Sequence, residues 1–531
     1  MVIMLTDVFD NKLSFFVRHI WISLLSIVLI GLTIRLYFFS FEIPPTLDSL
    51  LYFKYAIDLV IFKQFSPTYD FPNNGWPLFI ASFFSVLPSS NFFDYVNIQQ
   101  LLSISISALT VIPVYMLCSR FVEKPYALLG TILFGFEPHI IEDSIYGLSD
   151  AVFIFLVTLS IFFLHSTKRE IIFAAFGVAS IATIIRYEGL VTFFVLTIIF
   201  LIRFRSTPKR AIWYYLICTS IFIAILLPIS YLRVETTGED GILSSFIGGV
   251  KAYHVESIEK EDSSSIGTAS YVTNGIVNLF RGVGLVLFPT FIVFAPLGMF
   301  IVLRNKSNLF TIIIALTLLS LPSLYANSRG IQETRYLLVI LPWFALLTAI
   351  AAKSWINKSK RNRSLFFFSI CIILCISMGF LFWQIDRIHE KESYLISKYV
   401  VNHTDGVNQY YPESRYIHAS IIEKNWKYVR PYIEGEVTKS SIKTIVNDFP
   451  VLPVNEFASL EDFIRDSESE NLSHLVLDGK SNRPSFLNDV FYHEEKYPFL
   501  IKTFDSNSLG YSYHVKIYKI DYEKFHYFST T

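Results

Sequence analysis

Apolar residues recur along this chain in runs near twenty long, separated by short polar segments, and the pattern predicts a bundle of membrane-crossing helices. Spans are expected near residues 20–40, 99–119, 126–139, 150–165, 171–186, 189–203, 211–231, 283–303, 309–325, 335–352 and 364–383. The first run ends in bulky "LYFFSFEIPP" without a small-residue cleavage site, so it reads as a retained helix. "WPLFIASFFSVL", from Trp76 to Leu87, is apolar but too short to span and predicts an interfacial or re-entrant helix. Glu235 to Gly275 mixes Gly, Ser and charges and predicts a mobile loop. Beyond residue 384 the period changes. "SHLVLDG" (473–479) and "YSYHVKIYKIDY" (511–522) alternate as strands do, and "SLEDFIRDSES" reads as a helix. The expectation is a polytopic α-helical membrane domain over 1–384, of about eleven spans, followed by a small α/β domain over 385–531.

Charge orients the bundle. Six alternate short segments are basic: Lys12 and Arg18; Arg120 and Lys124; Lys168 and Arg169; Arg203, Arg205, Lys209 and Arg210; Arg304 and Lys306; and Lys353 to Arg363. The positive-inside rule puts all six in the cytoplasm, with the N-terminus. Residues 41–98, 140–149, 186–188, 232–282, 326–334 and everything after 384 are then expected outside, in a multi-pass cell-membrane protein.

Composition agrees: 53% of the 531 residues are hydrophobic and only 17% charged. A net charge of +0 supplies no bulk field for nucleic acid. Cys118, Cys218, Cys371 and Cys375 all fall in apolar runs, so no disulfide framework is implied.

Candidate chemistry gathers on the expected outer face. Pro44 and Pro45 end the first run, and Thr46 suits an N-cap, so a helix is expected to start at Leu47. On it Asp48, Tyr52, Tyr55 and Leu59 share one face. A carboxylate in a helix's first turn also satisfies the dipole alone, so a bland reading stays open. Glu137, His139, Glu142, Asp143 and Asp150 form a second acidic group, and Asp150 opens a wholly apolar run. Ionisable residues so placed usually face the bundle interior, although Ser149 or Asp150 could merely cap the helix. A hard metal is a possible cofactor for this group, yet its spacing matches no metal signature. In "IIRYEGL", Arg186 breaks the basic-inside pattern; it can snorkel, pair with Glu188, or hold a phosphate. Arg329, Glu333 and Arg335 crowd the expected outer loop at 326–334. Carboxylates can activate a hydroxyl, and arginines can hold a phosphate leaving group.

In the order "TLDSLLYFKYA", "NNGWPLFIASFFSVLP", "GFEPHIIEDSIYGLSDAVFIF", "IATIIRYEGL" and "ETRYLLVILPWFALLTAIA", these elements resemble the GT-C glycosyltransferases. The branch they look like is that of protein O-mannosyltransferases and aminoarabinose transferases. The resemblance implies that Asp48 is the catalytic base or orients the acceptor, and that Asp150 shapes the same site. It implies a sugar donor on polyprenyl or dolichyl phosphate, held by Arg186 and Arg335, and a protein, glycan or lipid acceptor outside the cytoplasm. Tyr52, Tyr55, Glu142, Asp143, Glu188 and Arg329 complete the expected substrate-binding set. "SIYGLSDAV" resembles the second acidic motif of oligosaccharyltransferase catalytic subunits, but Val152 stands where those add a metal ligand, and their Trp-Trp-Asp motif is absent. Ser49 stands where many mannosyltransferases have a second acidic residue. A transporter or flippase of a lipid-linked substrate is the alternative, and a scaffold for residues 385–531 the third reading. Transporters commonly show inverted repeats, and none is evident here.

Overall fold

The computed structural model describes residues 19–65, 73–245, 247, 268–306, 308–358, 360–410, 413–433, 449–455, 457–479 and 484–530. Most of the loop expected over 235–275 lies outside the described residues.

The chain divides into two compact units. The first comprises Met1–Phe39, Tyr55–Ser85 and Ile98–Ile385; the second comprises Ser40–Lys54, Val86–Asn97 and Asp386–Thr531. The expected boundary at 384/385 does not anticipate that two pieces of the first outer segment belong with the C-terminal residues.

Among the described residues, six helical stretches are long and apolar enough to cross a membrane: Ile20–Phe38, Phe92–Cys118, Pro208–Thr237, Leu309–Ser328, Thr334–Ile356 and Arg363–His403. They cover six of the expected spans. Four more, near 126–139, 150–165, 171–186 and 189–203, are the shorter helices Lys124–Gly135, Asp150–Leu164, Arg169–Ile185 and Gly189–Arg203. The span expected at 283–303 is not one helix. Thr268–Leu287 and Phe294–Asn305 are separated by turns over 288–293, where Pro289 lacks the N–H a continuing helix needs.

In the first unit, the helix Leu341–Ile356 is buried along almost its whole length, against Lys124–Gly135 and Phe294–Asn305. Glycines make both approaches possible. A Cβ on Gly130 would lie 2.2 Å from Ala345 O, and one on Gly298 would lie 2.0 Å from Leu347 O. Small residues at such seams let backbones meet, which drives helix packing where no hydrophobic gain is available. Arg35, in the first span, is fully buried. It donates from Nε and Nη2 to Ser107 Oγ, at 3.2 and 3.0 Å, and from Nη1 to Gly31 O at 3.0 Å.

The second unit holds a five-stranded sheet: β1 (Val407–Asn408), β2 (Val451–Leu452), β3 (His474–Asp478), β4 (Leu500–Asp505) and β5 (Val515–Ile520). The order is β2-β1-β3-β5-β4; β1 pairs in parallel with β2 and β3, and β5 antiparallel with β3 and β4. Period-two alternation sorts β3 between two cores. Leu475 and Leu477 pack with Phe463, Ile464 and Phe491, whereas Val476 packs with Ile396, Val400 and Ile417. The same unit ties in the loop pieces. The Trp426 ring lies 5.4 Å from Phe92 and 5.5 Å from Tyr95, and Ile43 and Phe93 pack with Tyr394 and Tyr416.

Candidate active site

The helix Asp150–Leu164 begins on a carboxylate, which places Asp150 at the positive end of the helix dipole. The neighbouring helix Arg169–Ile185 stops when Arg186 turns extended, and Gly189 N–H then donates to Arg186 O at 2.8 Å. Here glycine is required: a Cβ on Gly189 would meet the Thr183 backbone at 2.5 Å. The tight turn directs the guanidinium between two carboxylates. Arg186 Nη1 donates to Asp150 Oδ1, and Nη2 donates to Glu188 Oε1 at 2.8 Å. Asp150, Arg186 and Glu188 are 3%, 5% and 8% exposed, and the guanidinium also lies 5.6 Å from the Tyr336 ring centre. Asp150 Oδ2 is buried and accepts no hydrogen bond among the described residues. Burying three charges is costly, and hydrophobic replacement of such a group is often neutral or stabilising, so stability alone does not account for it. Buried groups of acidic and basic side chains of this kind gather at functional sites, which makes this one a candidate.

These residues line a small, partly open pocket. Arg335 and Tyr336 close one side, from the 3₁₀ segment Thr334–Ile340, while Ile154, Val191, Leu319 and Pro322 form an apolar wall. Arg335 Nε lies 3.9 Å from Glu333 Oε2. Asp143, on the short helix Pro138–Ile145, is buried within electrostatic reach of Asp150, Arg335 and Arg186. Burial first, and then the charge of Asp150, push its carboxyl well above the usual range, against the pull of the two arginines.

Behind the Arg186 turn stands "NNGWP". Asn73 Oδ1 accepts from Tyr187 N at 3.2 Å, and Trp76 Nε1 donates to Gly147 O at 3.0 Å. Asn74 Oδ1 accepts from Tyr55 Oη at 2.8 Å and from the buried Arg233. A Cβ on Gly75 would strike the Ile184 backbone at 2.8 Å, so the motif seats directly on the end of the arginine's helix.

Of the residues expected from sequence, Asp150, Arg186, Glu188 and Arg335 meet in one pocket, and Asp143 adjoins it. Glu142 instead accepts from Gln384. Arg329, exposed, donates to Tyr325 Oη at 3.3 Å. Tyr55 belongs to the Asn74–Arg233 cluster. Asp48, half-buried, and Tyr52, buried, lie in the second unit, near the start of the helix Leu47–Phe62. Sequence reasoning missed Asn73, Asn74, Arg233 and Tyr336. The quoted "NNGWP" carried a signal for the first two; Arg233, at the end of an apolar run, broke the basic-inside pattern as Arg186 did.

The donor set does not fit a metal ion. Among the described residues no three His, Cys, Asp or Glu side chains gather to hold one. Arg186 occupies the place between Asp150 and Glu188 that a cation would take.

The fold is shared with solved archaeal oligosaccharyltransferases. The archaeal oligosaccharyltransferase AglB from Archaeoglobus fulgidus, solved with an inhibitory peptide and a dolichol-phosphate, superposes at TM-score 0.52. Its identity is 11%, covering 86% of this chain and 69% of that one. The Archaeoglobus fulgidus oligosaccharyltransferase with Zn and sulfate gives TM-score 0.51 at 12% identity, over 85% and 68% of the two chains. ArnT from Cupriavidus metallidurans bound to undecaprenyl phosphate gives 0.47 at 10% identity, over 94% and 98%. No curated protein matches the sequence. The chain belongs to the family described as "Predicted membrane protein (DUF2079)", which matches residues 79–422, and it is a multi-pass membrane protein.

Proposed function

We propose that this protein is a membrane glycosyltransferase that moves a sugar from a polyprenyl or dolichyl phosphate to a protein, glycan or lipid acceptor on the extracytoplasmic side. The observation that carries the reading is the pocket itself: buried Asp150, Arg186 and Glu188, with Arg335, set against an apolar wall. An anionic headgroup on a greasy chain needs that combination of cation and hydrocarbon surface. The dolichol-phosphate carried by the similarly folded AglB supports it.

In this reading Arg335 holds the donor phosphate. Arg186, already bridged to two carboxylates, is a positioning residue that fixes Asp150 and Glu188. Asp48 takes the proton from the acceptor hydroxyl. The new bond forms at the sugar's anomeric carbon as its bond to the phosphate oxygen breaks, and the electron pair leaves on polyprenyl phosphate. No metal is assigned a part. The excess of Lys and Arg in six alternate segments supports an outward orientation of the pocket's loops, and the eleven-span arrangement belongs to the same proposal.

The test uses the full chain in lipid nanodiscs with a polyprenyl-phosphate hexose. Acceptor-dependent release of polyprenyl phosphate, abolished by Asp48→Asn and Asp150→Asn in folded protein, is the expected result. Movement of intact donor between leaflets, with the sugar–phosphate bond unbroken, would make it a flippase instead.

A further inference from the structure

A second cleft lies on the other side of the Thr334–Ile340 segment. With about three residues per 3₁₀ turn, Thr334 and Leu337 share one face, and they line this cleft, while Arg335, Tyr336 and Val339 line the first pocket. Its opposite wall is one face of the helix Thr268–Leu287, where Asn278, Arg281, Gly282 and Leu285 follow i, i+3, i+4, i+7 spacing.

Two glycines on that face set the gap. A Cβ on Gly275 would lie 2.1 Å from Ser328 Oγ, and one on Gly282 would lie 3.1 Å from Leu337 Cδ1. The helix is thus seated at two points, seven residues apart, and Asn278 and Arg281 face the space between them. Asn327 meets them from the helix Leu321–Ser328. It is 6% exposed, and both its amide bonds go to Ser323, to O at 2.9 Å and Oγ at 3.1 Å. Its Oδ1, like the side chains of Asn278, Arg281 and Gln332, has no hydrogen-bond partner among the described residues. Glu333 adds a carboxylate, and it stands 3.9 Å from Arg335 of the first pocket.

We infer that this cleft binds the hydroxyl-rich face of a saccharide. Vicinal hydroxyls both donate and accept, and they are matched by planar paired groups: two Asn amides, a Gln amide, a guanidinium and a carboxylate. An apolar lipid tail finds no such match here, and a phosphate would face Glu333. The inference rests on the glycosyltransferase reading and gives it a sugar site. The saccharide belongs either to the donor or to the acceptor.

Arg281 and Gln332 are exposed, so Arg281→Ala and Gln332→Ala leave the packing intact. Full-length protein in nanodiscs is titrated with undecaprenyl phosphate, with undecaprenyl-phosphate glucose and mannose, and with free gluco- and manno-oligosaccharides. The wild type is expected to bind sugar-bearing probes, and both substitutions to weaken that binding roughly tenfold, the scale of one hydrogen bond to a charged group. Bare undecaprenyl phosphate should bind all three proteins alike. A sugar effect confined to lipid-linked probes assigns the cleft to the donor, and one seen with free oligosaccharides assigns it to the acceptor. Wild-type binding of undecaprenyl phosphate with no gain from sugar, or sugar binding untouched by both substitutions, overturns the saccharide site and leaves the proposed function standing. Failure to bind undecaprenyl phosphate in any form overturns the reading beneath it.

Discussion

Arg186 spans Asp150 and Glu188, giving one terminal nitrogen to each carboxylate, while the second oxygen of Asp150 stays buried without a partner among the described residues. The pair is therefore structural on one side and open on the other. Asp150→Asn leaves the buried Arg186 facing an amide, and a loss of about 3 kcal/mol is expected. Thermal unfolding of the purified protein measures it; an unchanged Tm would mean that the pair contributes nothing to folding.

Asp143 behaves oppositely. Burial and the charge of Asp150 raise its carboxyl above the usual range, so the folded state binds a proton that the unfolded state gives up. That contribution is complete below the unfolded value of 3.8 and is lost as pH rises toward the folded one. Asp143→Asn keeps the shape of the protonated form and removes the linkage. The variant should unfold at the same temperature as wild type or higher at pH 7, and lower, if at all, only in acid.

Chelators should leave transfer unchanged, because Arg186 occupies the position between two carboxylates that a divalent ion would use. Initial rates in EDTA and in added Mg²⁺, Mn²⁺ or Zn²⁺ decide this; a strict metal requirement would place the reacting centre elsewhere.

Gly75→Ala pushes a methyl group to 2.8 Å from the Ile184 carbonyl carbon and oxygen, and backbone cannot swing aside as a side chain can. Overpacking of about 1–3 kcal/mol is expected. Because Ile184 and Ile185 lead straight into Arg186, activity should fall more than stability does, which paired kinetics and unfolding curves would resolve.

In the second unit, Lys502 and Tyr518 donate to Glu494 and hold its carboxyl at about 2 instead of 4.5. The depressed value means that this support is complete above about pH 4.5 and is lost as pH falls toward 2. Hydrogen exchange over β4 and β5 should accelerate across that interval, and Glu494→Gln should flatten the response.

Local features were legible in the sequence. The helix at Leu47, the carboxylate opening at Asp150, the Arg186–Glu188 turn and the strand at 474–478 each follow from a handful of neighbouring residues. What distant parts do to one another was not. Nothing near Arg35 announces that Ser107 will satisfy it, 72 positions away. Arg233 looks like a stray cation at the end of an apolar run until Asn74 is placed beside it. Periodicity also reads 283–303 as one span, because hydropathy takes no account of the missing N–H at Pro289. Arg186 was expected to hold phosphate or pair with Glu188; a contact across 36 residues, to Asp150, makes it the brace of the pocket.

Trp426 rests against Phe53, Phe92 and Tyr95, and Lys391 pairs with Glu42. The C-terminal stretch is thus no detachable appendage: the chain's early loop and its late residues are masonry of one wall. A lineage that shed the tail would unmoor the segment bearing Asp48 in the same stroke, so the two must be gained, lost or exchanged together.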